Sequence, residues 1–180
     1  MTPTELSVLI PAYNEAQSIG SVLECLSGAL EDVPELQDRY EIIVVDDGSS
    51  DSTAEAALAV QGLVQVVQHP YNMGNGAAIK TAIRHARGDV LVFIDADGQH
   101  DPAGISDLAA GCKAYDMVVG ARQGQAVHIP WIRKFPKWCI GRLAEYVTRS
   151  KIADLNSGMR IMRKKTVERY LPILPDGFSF

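Results

Sequence analysis

The sequence predicts an α/β fold with a mainly parallel central sheet flanked by helices. Short apolar runs alternate with helical patterns through the first 120 residues, the order that βαβ units produce. The runs are continuous rather than alternating, as in Val90-Leu91-Val92-Phe93-Ile94, so the sheet should be covered on both faces. At 180 residues, 47% hydrophobic and 22% charged, the chain fits one domain with a sizeable core.

The elements follow in order. Leu6 to Ala12 reads as a buried strand. Asn14 is placed to cap the next helix, with Gln17 in the capping-box position. Tyr40 to Val45 is a second strand, ending in Asp46-Asp47-Gly48. Ser52-Thr53-Ala54-Glu55 repeats the capping pattern and opens an Ala-rich helix. Leu63 to Gln68 is a third strand. Asn75 to Arg87 is helical, with Gly88 as its stop. Val90 to Ile94 is a fourth strand, and Asp101-Pro102 starts a helix. Tyr115 to Gly120 is a fifth strand. Gln123 to Pro130 reads as a loop, and Trp131 to Arg149 as one or two helices carrying both tryptophans. Asp154 to Met162 is a strand-like return with a turn at Asn156-Ser157-Gly158. Pro172 to Phe180 shows no stop signal, so the domain is expected to continue past Phe180.

Bulk properties narrow the function. Met1 to Leu6 is polar and runs into a strand, so no signal peptide is expected. No apolar run approaches the roughly 18 residues that span a bilayer. Cys25, Cys112 and Cys139 are far apart and odd in number, which argues for a reducing compartment rather than a disulfide framework. The four histidines show no metal-ligand spacing. Net charge is -5, but residues 133–169 hold 11 of the 17 Lys+Arg and three acids, a net of +8. The remainder carries 6 basic against 19 acidic residues, a net of -13. A basic segment on an acidic protein points to a specific anionic partner. No nucleic acid is implied, and oligomeric state is not legible.

In parallel sheets, ligands bind outside the carboxyl ends of the strands. Polar residues collect there: Tyr13-Asn14-Glu15, Asp46 and Asp47, Asn72 to Gly76, then Asp95, Asp97 and Gln99, and finally Arg122. With 13 Asp in the chain, an isolated Asp-x-Asp carries little weight. Asp95 and Asp97, however, directly follow an apolar strand. On an extended segment they would share a face. Two neighbouring carboxylates repel unless a divalent cation sits between them and another anion, and hard oxygen ligands select Mg²⁺ or Mn²⁺. Gln99 continues that face with a neutral oxygen. Asp101 reads as a helix cap. Asp51 and Ser52 supply the cap of their helix, which leaves Asp47 for a base N–H or a ribose hydroxyl. Asn72 to Ala78 is a small-residue loop that lets a ligand approach the backbone. Lys80 reads equally as a phosphate contact and as a helix-surface lysine. Arg122 can pair with a diphosphate.

Four segments occur in order: Pro11-Ala12-Tyr13-Asn14-Glu15, Val45-Asp46-Asp47-Gly48-Ser49, Gly74-Asn75-Gly76-Ala77-Ala78 and Asp95-Ala96-Asp97-Gly98-Gln99-His100-Asp101-Pro102. Together they resemble family 2 glycosyltransferases of the GT-A fold, most closely the dolichyl- or polyprenyl-phosphate mannosyl- and glucosyltransferases. The resemblance covers essentially the whole chain. It implies one catalytic domain, cut short at its C-terminus, with a nucleotide-sugar half at 1–122 and an acceptor- and membrane-facing half at 123–180. By resemblance, Pro11, Ala12, Tyr13, Glu15, Val45 and Asp47 belong to the donor's base and ribose pocket. Asp95, Ala96 and Asp97 hold sugar, diphosphate and metal, with Gln99 a further ligand. Arg122 and Arg133 are anion contacts, and Asp154 to Arg160 is an acceptor-side loop. Some relatives carry an acid immediately before an aromatic-Arg pair in that loop; here Gly158 stands there.

The reaction implied is inverting transfer of a sugar from a nucleoside-diphosphate sugar (GDP-mannose or UDP-glucose type). An acceptor phosphate, with a second pKa of about 6, needs no general base. The absent acid at Gly158 therefore fits a polyprenyl-phosphate acceptor, with Asp154 kept as base for a hydroxyl acceptor. Trp131, Phe135, Trp138 and Tyr146 among basic residues suit an anionic membrane surface. The expected location is the cytoplasmic membrane face, peripherally bound. A sugar-nucleotide pyrophosphorylase would place a Gly-rich loop after the first strand, and a nicotinamide enzyme a GxGxxG there; Ala12-Tyr13-Asn14-Glu15 is neither. A non-catalytic nucleotide-sugar-binding module is the alternative from another class.

Overall fold

The computed structural model describes residues 4–60, 62–98, 104–105, 114–120 and 159–177. In chain order the strands are β1 (Leu6–Ala12), β2 (Tyr40–Asp46), β3 (Val64–Gln68), β4 (Val90–Phe93), β5 (Met117–Val119) and β6 (Arg160–Arg163). The helices are α1 (Ile19–Glu31), α2 (Thr53–Leu58), α3 (Asn75–His85) and α4 (Lys164–Tyr170), followed by a short 3₁₀ turn at Leu171–Ile173.

The strands form one sheet in the order β3-β2-β1-β4-β6-β5. β1 pairs in parallel with β2 and with β4, and β2 pairs in parallel with β3. β6 runs antiparallel between β4 and β5. The described end of the expected return segment is a strand, Arg160–Arg163, and it is the antiparallel member of a mostly parallel sheet. The other strands match their expected positions within two residues.

The core lies in two layers because successive strand residues face opposite sides. On one face Val8, Ile10, Ile42 and Val44 meet Ile19, Leu23, Leu26 and Leu30 of α1 and Ala57 of α2. Positions 19, 22, 23, 26 and 30 of α1 are all buried, the spacing of a helical stripe. Each fully buried leucine or isoleucine contributes about 1.5–3 kcal/mol. On the other face Leu9, Ile43, Val45, Leu91 and Phe93 meet Ala78, Ile79, Ala82 and Ile83 of α3 and Val167 of α4. Both faces are covered over the central strands, which is why Val8–Ile10, Ile42–Val45 and Val90–Phe93 read as apolar runs.

Helix ends depart from expectation. α1 begins at Ile19, four residues later than a cap at Asn14 would set it, and its N-cap Ser18 makes no side-chain capping bond. Ser52 precedes α2 without a side-chain capping bond; the Thr53 amide donates to Asp51 Oδ1 at 3.1 Å instead. α3 ends at His85 and Ala86 is extended, so Gly88 is not its stop. A Cβ on Gly88 would lie 2.8 Å from the carbonyl carbon of Leu6 and the nitrogen of Ser7, so the residue is needed for close approach to β1. Beside it, Glu41 is 4% exposed and accepts from the Ser7 hydroxyl at 2.7 Å, the Arg87 amide at 2.6 Å and Arg87 Nε at 2.9 Å.

Candidate functional site

After β1 the chain goes outward to β2 and β3, then crosses back to place β4 on the other side of β1. The crevice at such a switch point, beyond the carboxyl ends of the strands, is where open α/β sheets bind ligands. Here it is bordered by the turns after Ala12 and after Phe93.

The turn after β1 is held by side chains from the turn after β2. The Asn14 amide donates to Ser49 Oγ at 2.9 Å, the Glu15 amide to Thr53 Oγ1 at 2.8 Å and the Ala16 amide to Asp51 Oδ2 at 3.2 Å. In return, Asn14 Oδ1 accepts the Ser50 amide at 2.9 Å. Asn14 has φ of 56°, a left-handed conformation that Asn tolerates. The Thr53 hydroxyl first, and then the Ala16 and Thr53 amides, hold the Asp51 carboxyl below its ordinary range. Pro11 and Ala12 end β1 opposite Val45 and Asp46. Tyr13 is 47% exposed beside them. Glu15 is half-buried, and its Oε2 accepts from Ser18 Oγ at 2.6 Å.

Asp46 and Asp47 are both buried. The Ser49 amide donates to Asp46 Oδ1 at 3.0 Å, closing the turn. Asp47 is not left over by the helix cap, as expected from sequence, but is engaged with the segment after β3. Its Oδ1 accepts the Met73 amide at 2.9 Å and its Oδ2 the Gly74 amide at 2.8 Å. His69 Nδ1 lies 2.7 Å from Oδ1, and His69 Nε2 lies 2.9 Å from Thr81 Oγ1 on α3. His69 and Thr81 were not singled out by sequence; their partners are 22 and 12 residues away.

Lys80 is a tether rather than a solvent-facing lysine. Its Nζ donates to Leu174 O at 2.5 Å and to Asp176 Oδ1 at 2.6 Å. The Asp176 carbonyl accepts the Ala77 amide at 2.9 Å, capping the first turn of α3. Gly74 has φ of +100°, and a Cβ there would lie 2.8 Å from that same carbonyl.

Asp95-Ala96-Asp97 follows β4. Ala96 is 4% exposed and packs in the core, whereas Asp95 is half-buried and Asp97 exposed. Residues 96–97 form a turn rather than an extended segment, so the shared-face argument for the two carboxylates does not hold as stated. The buried methyl of Ala96 between them anchors the turn. No group of three or more His, Cys, Asp or Glu gathers as a metal cage among the described residues. Two anionic oxygen donors at a pinned turn fit a hard divalent ion whose remaining ligands come from a diphosphate and water. Gln99, Arg122, Arg133 and Asp154 lie outside the described residues, as do the expected helix start at Asp101-Pro102 and the helices expected at 131–149. Of the helix expected after Pro102, Gly104 and Ile105 are helical, with Ile105 buried in the core.

Comparison with known proteins identifies the family and the fold. The model of the family described as "Glycosyl transferase family 2" matches residues 7–171. A dodecaprenyl-phosphate galacturonate synthase from Rhizobium johnstonii is 32% identical over 171 residues, covering 92% of this chain and 49% of that protein. The chain therefore spans about half the length of this curated relative. Among solved structures, a mannosyl-3-phosphoglycerate synthase from Rubrobacter xylanophilus superposes with a TM-score of 0.69 at 18% identity, covering 91% of this chain and 54% of that one. A glucosyl-3-phosphoglycerate synthase from Mycobacterium tuberculosis, in complex with Mn²⁺ and UDP-glucose, gives 0.65 at 24% identity over 92% and 58%. At these identities the two structures establish the shared GT-A fold.

Proposed function

The chain belongs to glycosyl transferase family 2, and we propose that it is the donor-binding and catalytic part of a metal-dependent, inverting glycosyltransferase with a polyprenyl-phosphate acceptor. The observation that carries this reading is the meeting of two turns at the β1/β4 switch point. One is the clamped turn with exposed Tyr13, and the other is Asp95-Ala96-Asp97 pinned by Ala96. The first suits a nucleoside, and the second a diphosphate with its cation. The acceptor class is supported by the name of the Rhizobium relative.

In this reading Pro11, Ala12, Tyr13, Glu15 and Val45 form the floor and rim of the nucleoside pocket, and Asp47 holds its neighbouring loop. Asp95 and Asp97, with Gln99, would hold Mg²⁺ or Mn²⁺, which supplies Lewis-acid stabilisation to the leaving diphosphate. Arg122 and Arg133 add positive contacts to the same charge. A phosphate oxygen of the acceptor attacks the anomeric carbon from the side opposite the leaving group. The bond from that carbon to the nucleoside diphosphate breaks, and the configuration inverts. Because the attacking phosphate is already ionised, Asp154 is needed as a base only for an alcohol.

Residues 123–180 would face the acceptor at the cytoplasmic membrane surface. Among the described residues no helix is long and apolar enough to cross a membrane. The test is transfer of labelled sugar from a panel of UDP- and GDP-sugars to polyprenyl phosphate in detergent or vesicles. The expected product is an organic-extractable glycolipid that requires both substrates. Transfer only to soluble alcohols, or to none with any donor, would contradict the reading.

A further inference from the structure

Asp47, His69 and Thr81 form a continuous, part-buried line from the ends of β2 and β3 to α3. The His69 and Asp47 side chains are 8% and 5% exposed. The backbone brings them together first: the Asp47 amide donates to Ala12 O at 2.8 Å, and the His69 amide to Asp46 O at 2.8 Å. An ionised carboxylate only accepts, so His69 Nδ1 carries a hydrogen toward Asp47 Oδ1. In neutral His69, Nε2 then accepts the Thr81 hydroxyl. Each end of the imidazole is thus engaged, and the ring cannot turn without breaking a bond.

The carboxylate so fixed also holds the chain beyond β3. It receives two successive amides, Met73 and Gly74, just before the first turn of α3. Those amides set the path of residues 70–74, which carry exposed Tyr71 and Met73 beside the turn after β2. A Cβ on Gly48 would lie 2.6 Å from the Cα of Tyr71, so this loop and the Asp46–Ser49 turn touch backbone to backbone.

We propose that His69 and Thr81 are positioning residues of the donor site. They hold Asp47 in one orientation, and Asp47 holds loop 70–74 against the wall of the nucleoside pocket. The inference rests on the reading that the donor nucleoside lies at the carboxyl ends of β1 and β2. Loss of one neutral hydrogen bond in the line should act on binding of the nucleoside, which ground and transition states share, and should leave the chemical step alone.

The experiment compares the wild-type protein with Thr81→Val, Thr81→Ser, His69→Asn and His69→Leu. Three quantities are read: UDP and GDP affinity by calorimetry, donor KM and kcat, and hydrogen exchange at the Met73 and Gly74 amides. Thr81→Val should raise KM about three- to tenfold, the size of one hydrogen bond, with kcat within about twofold. Thr81→Ser should restore wild-type KM. His69→Asn keeps a donor toward Asp47 and should cost less than His69→Leu, in which the two amides should also lose protection. Unchanged donor KM and unchanged amide exchange in Thr81→Val and His69→Leu, with only a lower Tm, would overturn the positioning role while leaving the donor reading intact. Failure of the wild type to bind either nucleotide would overturn the donor reading and this inference with it.

Discussion

The Lys80 ammonium lies 2.6 Å from the carboxylate of Asp176, 96 residues further along the chain. Lys80 is thereby committed to the segment that follows α4, and a role as phosphate contact is not what its geometry favours. Lys80→Met should lower stability by about 1 kcal/mol or less through the ion pair, because Asp176 is 69% exposed and the pair is screened. The lost bond to the Leu174 carbonyl adds a similar amount. Donor KM should change less than about twofold. Thermal melts and steady-state kinetics check this. A large loss of diphosphate affinity at unchanged Tm would restore the phosphate role.

A second prediction concerns the opposite end of the sheet. Burial raises the Glu41 carboxyl, but the Arg87 amide, the Ser7 hydroxyl and the Arg87 guanidinium together outweigh it and hold Glu41 below its ordinary value of 4.5. A depressed carboxyl contributes stability that is present above its unfolded value and is lost as pH falls through the folded one. Glu41→Gln should therefore cost about 1–3 kcal/mol near pH 7, with the gap to wild type closing below pH of about 4. Urea melts across that range would show it. A gap independent of pH would mean that the cost is packing alone.

Residue by residue, legibility tracks sequence distance. The strands were readable because both sheet faces are buried, so Val8–Ile10 and Val90–Phe93 are apolar without interruption. The carboxyl-end location of the site followed from that parallel pattern. The antiparallel setting of β6 was not readable, since the four residues Arg160-Ile161-Met162-Arg163 carry no direction. Asn14 looked like a cap because its true partners, Ser49 and Ser50, are 35 and 36 residues away. Asp47 looked uncommitted for the same reason: Met73 and Gly74 are 26 and 27 residues on. Local patterns reveal caps and faces, whereas a clamp between two turns exists only once the sheet has brought them together.

A third prediction follows from the charge of +8 over residues 133–169. Arg160, Arg163, Lys164, Lys165 and Arg169 of this stretch lie on β6 and α4. Basic side chains at an anionic surface contribute on the order of 1 kcal/mol each, and salt screens them within about one Debye length. The protein should co-sediment with anionic but not neutral vesicles at low salt and be released at high salt. Equal binding to both would point to a solvated basic face and a soluble acceptor.

In the proposed function the turn after β4 takes the donor diphosphate through a divalent ion held by Asp95 and Asp97. Two carboxylates facing a diphosphate repel until a cation is supplied, and Ala96 keeps both at the turn. Calorimetric titration of UDP and GDP, with Mn²⁺ or Mg²⁺ and then with EDTA, tests this directly. Binding of one nucleotide should appear with the metal and vanish with EDTA. In Asp97→Asn it should fall steeply while the protein stays folded, because the apolar strand β4 is unaltered. Undiminished affinity in EDTA, or wild-type affinity in Asp97→Asn, would contradict the account.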